Sequence, residues 1–202
     1  MTTKPRGQSG LGLLMLAIGR KRGFGYFGTG KEAYLNSLAP LLAFGLVSGA
    51  VTAIGGKLSG GLLMTLVLVV TFLTPAVVAH ALCRFWAREA SWALYANLLN
   101  WAQLLCMVAV SVFVTLGKLL GLLGMPGDVA LALSSVGLLI YVIWFHWFLA
   151  RGALRLSRLR TLALLVTILV CTDSLVYAPL YLGGDLADIV PPIADKAPSG
   201  GA

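Results

Sequence analysis

Five apolar stretches of about 20 residues each, at 35–54, 60–82, 97–116, 129–149 and 162–182, leave this 202-residue chain little choice of fold. At about 1.5 Å of rise per residue, each stretch reaches about 30 Å as a helix, the thickness of a bilayer's hydrocarbon core. An open strand or loop there would leave backbone N–H and C=O groups without partners, so spanning α-helices are the expected form. The chain is 59% hydrophobic and 11% charged, far from the soluble norm of about 45–50% apolar and about 25% charged. The predicted fold class is an all-α, polytopic membrane bundle of five transmembrane helices over 34–182, with a basic leader at 1–33 and a tail at 183–202.

A net charge of +8 invites a nucleic-acid reading, but the basic residues sit between apolar runs rather than on a soluble domain. They set orientation instead. At 141–160 a helix passes through Tyr141, Trp144 and Trp147 into Arg151, Arg155, Arg158 and Arg160, the aromatic and basic order of a cytoplasmic membrane boundary. Lys4, Arg6, Arg20, Lys21, Arg22 and Lys31 in the leader, and Arg84 and Arg88 after the second stretch, fall on the same side. Only Lys57, Lys118 and Lys196 fall on the other. This bias predicts a cytoplasmic N-terminus and an outer C-terminus. All five tryptophans lie near the basic boundary, while Tyr177 and Tyr181 mark the opposite one.

Within the leader, the apolar run 11–18 is too short to span and is followed by Arg20-Lys21-Arg22 rather than by a cleavage site, so an interfacial turn against acidic lipid is expected. Gly23, Gly25 and Gly28 spell GFGYFG, a formal dinucleotide fingerprint. No strand precedes it, and a flexible linker is the expected form. The stretch 84–95 reads either as an interfacial helix or as the continued ends of the second and third spans. The tail holds Asp185, Asp188, Asp195 and two adjacent prolines, a composition that does not build a core. Cys83, Cys106 and Cys171 have no paired spacing and read as reduced packing residues.

Four groups of residues are candidates for function. Asp173 lies midway along the fifth span, where a carboxylate costs about 2.5–3.5 kcal/mol to insert, so it marks either a proton- or ion-linked position or a carboxyl satisfied inside the bundle by Thr71, Ser48 or Ser111. His80 and His146 stand at similar depth in the second and fourth spans and are candidates for a shared ligand, a metal or haem iron, or else for interfacial anchors. Asn97, Asn100 and Gln103, with Arg84, make one half of the bundle polar, either as a vestibule for a polar ligand or headgroup or as interhelical hydrogen bonding. Gly45 and Gly49 form a GxxxG packing face extended by Ala53, whereas Gly117 and Gly121 recur where the third span is expected to exit. Pro75 and Pro179 lie within or near the ends of spans. No hydrolase triad, P-loop, HExxH or haem-attachment sequence occurs, so no catalytic residue, cofactor or metal is assigned.

With five helices after a cytoplasmic leader, and locally through REASWALYANLLNW at 88–101, the chain resembles the bacterial Yip1-like membrane proteins, although the DLYGP motif of the eukaryotic branch is absent. The resemblance implies a non-enzymatic, multi-pass inner-membrane protein that organises membrane-protein partners or lipids. Three functions are then in play. The first is an interaction or scaffold subunit binding acidic headgroups and a membrane partner or a second copy of itself; the others are a small proton-linked transporter or channel using Asp173 and a bis-histidine cofactor subunit.

Overall fold

A computed structural model describes residues 9–55 and 58–181. Lys4, Arg6, Lys57, Lys196 and the acidic tail lie outside the described residues, as do the side chains of Pro179 and Tyr181. The described residues contain helices and no strands: α1 (Ser9–Ala17), a 3-10 helix (Lys21–Tyr26), α2 (Lys31–Ile54), α3 (Leu58–Phe85), α4 (Glu89–Leu122), α5 (Gly127–Leu154) and α6 (Arg158–Tyr181). Helices α2 to α6 are each long and apolar enough to cross a membrane. Large apolar side chains point outward along all five, including Leu46, Leu66, Val112, Leu139 and Leu169.

Helix α4 is the hub, packed against α1, α2, α3 and α5, while α6 leans mainly on α3. At 34 residues α4 runs to about 50 Å, well beyond a hydrocarbon core of about 30 Å. Its first turns therefore lie at the rim of the bundle, and residues 95–100 are buried on every side. This decides between the two readings of 84–95. Helix α3 ends at Phe85, Ala87 turns the chain at a φ of 54°, and α4 starts at Glu89, so the stretch is the continued ends of two helices. The charged and aromatic positions show no clean face because leader, α2, α3 and α5 cover several faces at once.

The two ends of the bundle are closed by different means. At the end where α3 and α5 finish, a core of large side chains gathers Leu16, Cys83, Tyr95, Leu98, Phe145, Leu149 and Leu164. At the other end, backbones meet directly. A Cβ on Gly49 would stand 2.8 Å from the Gly61 carbonyl, and one on Gly61 would stand 2.6 Å from the Gly49 carbonyl. Gly45 of the same GxxxG has only an ordinary contact, 3.6 Å from Leu68 Cβ. The expected exit at Gly117 is corrected: the helix continues to Leu122, and buried Gly117 packs against α5, where its Cβ would lie 2.9 Å from Ser134 Oγ. Small residues serve here because, in lipid, close backbone approach gains dispersion that burying another leucine does not.

The leader departs most from expectation. Its glycines are ordered, since Gly12 lies under Tyr26 and Gly23 under Leu16, with no room for a Cβ at either (2.6 Å to the nearest atom in both cases). Leu16 and Phe27 enter the core, and Tyr141 Oη donates to the Ala17 carbonyl at 3.2 Å. GFGYFG is thus a tight 3-10 turn folded onto α5 rather than a flexible linker or a nucleotide loop. Leu11 and Leu14 of α1 and Ile18 just after it stay exposed, so this part of the leader keeps an outward apolar face.

Candidate functional site

The folding pattern places the start of α2, the end of α3, the start of α4, the end of α5 and the start of α6 at one end, together with the leader. Arg20, Lys21, Arg22, Lys31, Arg84, Arg88, Arg151, Arg155, Arg158 and Arg160 therefore share that end with only Glu32 and Glu89 as described carboxylates. Among these charges lies an open cavity of about 760 Å³. Lys21 and Phe24 of the 3-10 helix, Thr29, Arg88, Ser91 and Leu94 of the α4 entry, and Arg151, Gly152, Arg155 and Leu156 of the α5 exit line it. Local structure aims these groups. Arg155 takes the left-handed conformation (φ 50°, ψ 43°) that stops α5, and Gly152 lets the Phe24 ring lie directly on the α5 backbone. Phe24 also meets Phe148 at 5.5 Å between ring centroids. Among the described residues no carboxylate lines the cavity; Glu89 instead faces Arg84 across 3.6 Å.

Beside the cavity runs the amide column of α4. Asn97 Nδ2 donates to the Gly28 carbonyl at 3.1 Å, Asn100 Nδ2 to Ser37 Oγ at 2.8 Å, and Gln103 Nε2 to the Phe72 carbonyl at 3.5 Å. Each amide thus reaches a different neighbour: leader, α2 and α3. Asn97 and Asn100 are buried, and the three side-chain carbonyl oxygens have no hydrogen-bond partner among the described residues. The donor side of all three amides makes interhelical hydrogen bonds, one of the two forms expected of this group. Spacing by three residues wraps the column partway round the helix, which is what lets one helix hold three partners.

The two histidines are engaged separately. His80 is exposed on α3 and meets Trp92 edge-on at 4.7 Å, and Trp92 Nε1 donates to the Ala76 carbonyl at 2.9 Å. His146 is half-buried on α5 with Nδ1 2.8 Å from the Val142 carbonyl, a contact that requires the proton on Nδ1. Helices α3 and α5 do not pack extensively on each other, and no group of three or more metal-ligating side chains occurs among the described residues. Arg84 lies outside the cavity lining, held toward Glu89.

Asp173 is exposed on α6. Of the hydroxyls considered for it, Thr71 donates to the Val67 carbonyl and Ser111, itself exposed, to the Met107 carbonyl, each within its own helix. The residues that sequence reasoning did not single out as a site are Lys21, Thr29 and Ser91, with Arg88, Arg151 and Arg155 read only as topology signals. The dense arginines were a signal, but their convergence depends on the leader folding back. No family model, curated protein or solved structure matches the chain.

Proposed function

We propose that the protein is a non-enzymatic, multi-pass inner-membrane interaction subunit, with its basic end in the cytoplasm against acidic headgroups and a membrane partner or second copy on the face of α6. The observation that carries this reading is the outward position of Asp173. A carboxylate facing hydrocarbon costs about 2.5–3.5 kcal/mol on insertion scales, and a partner helix offering a donor removes that cost. A transport path through the bundle would want the same group inside. The likeness of 88–101 to Yip1-like proteins belongs to this proposal and fits it.

The test is a pair of substitutions read two ways. Asp173→Asn keeps a hydrogen-bonding group, so complex formation in mild detergent is expected to persist; Asp173→Leu removes it and is expected to dissociate the complex. If the bundle were instead a proton-linked transporter, vesicles containing the wild-type chain would show flux, and Asp173→Asn would abolish it.

A further inference from the structure

We infer that the cavity between the leader, α4 and α5 is a binding site for a multiply charged phosphate ester, one per chain. The inference rests on the headgroup-facing orientation proposed above and narrows it from a basic surface to a defined site. The first ground is charge. Lys21, Arg88, Arg151 and Arg155, all exposed, line one cavity that no carboxylate lines among the described residues, and the nearby Glu89 pairs with Arg84 at the surface. Four like charges around one cavity give it a positive potential that favours an anion, and three guanidinium forks suit the paired oxygens of a phosphate better than a lone carboxylate does.

Shape and lining provide the second ground. A volume of about 760 Å³ falls within the range of about 300–1,000 Å³ typical of small-molecule sites and far exceeds what one inorganic ion fills. The wall is amphipathic: Thr29 and Ser91 supply hydroxyls, whereas Phe24, Leu94 and Leu156 supply apolar surface. That combination suits a phosphate attached to an apolar remainder, as in the headgroup and glycerol region of an anionic phospholipid. A soluble phosphate ester shares the charge but not the tail.

The leader makes the site conditional on its own docking. Lys21 and Phe24 belong to the 3-10 helix, and Phe24 rests on Gly152, so this wall exists only while the leader is folded back. Ligand and leader should therefore stabilise each other.

The experiment places the full chain in nanodiscs of phosphatidylcholine with or without phosphatidic acid and counts retained lipids by native mass spectrometry. Wild type is expected to retain one phosphatidic acid. The pair Arg88→Gln with Arg151→Gln is expected to weaken retention roughly tenfold or more, whereas Arg158→Gln with Arg160→Gln, an equal loss of charge outside the cavity, changes it little. Thr29→Asp, at an exposed position, puts a carboxylate into the mouth and should act like the cavity pair even if that pair purifies poorly. Equal weakening by both arginine pairs would overturn the site while leaving the acidic-lipid reading standing. No preference for phosphatidic acid in any protein would end both, unless pyrophosphate titrated by calorimetry in detergent binds with the same dependence on Arg88 and Arg151, which would keep the phosphate site and assign it a soluble ligand.

Discussion

Gly49→Ala is expected to destabilise the bundle by about 1–3 kcal/mol, while Gly45→Ala, four residues away on the same face, stays within about 0.5 kcal/mol of wild type. Both changes add one methyl group, and both gain similarly in helix propensity. What differs is the neighbour. At position 49 the methyl meets Thr65 and the Gly61 carbonyl at 2.8 Å; the threonine can rotate, but the carbonyl moves only if α2 and α3 separate. At position 45 it meets Leu68 Cβ at 3.6 Å, an ordinary contact. Thermal unfolding in detergent, followed by the loss of helical circular dichroism, compares the two. Equal shifts would mean that the close approach of α2 and α3 is not where Gly49 and Gly61 meet.

The second large effect is expected at Gly152. A leucine there must occupy the space of the Phe24 ring, whose Cε2 would lie 2.5 Å from the added Cβ. Leader and α5 cannot both keep their places. Undocking worth about 1.4–2.8 kcal/mol raises the open population about 10- to 100-fold, and trypsin reads that population at Arg20-Lys21-Arg22. Gly152→Leu is therefore expected to accelerate cleavage of the leader by that factor, with the five long helices intact. Gly25→Ala is the control, because a Cβ there has nothing within 4 Å. The same Gly152→Leu protein should lose its bound phosphatidic acid, since Lys21 and Phe24 leave together.

The length and apolar character of the stretches brought out the five spans, and Lys and Arg brought out the basic end, because both depend on local composition and a membrane of known thickness. The amide column was visible as Asn97, Asn100 and Gln103 since polar groups stand out against an apolar background. Which way each helix faces was not visible. In a soluble helix the polar side identifies the surface, but in lipid the outward and inward sides are both apolar, so nothing in the sequence turned Asp173 outward or joined Gly117 to Ser134. The docking of the leader was hidden for another reason. It depends on two glycines from distant parts of the chain, Gly23 beneath Leu16 and Gly152 beneath Phe24, whose value appears only when the surfaces meet. The start of α4 at Glu89 was obscured similarly, because a segment covered on several sides has no amphipathic stripe.

The most direct test of an interaction subunit is the mass of the particle that leaves its own membrane. Extracted with its surrounding lipid in polymer-bounded discs and weighed intact, the wild-type protein is expected as a stoichiometric complex with a second membrane chain or with itself, and the Asp173→Leu protein as a single chain. A wild-type protein that emerges as a lone chain, with the same mass as Asp173→Leu, would contradict the account.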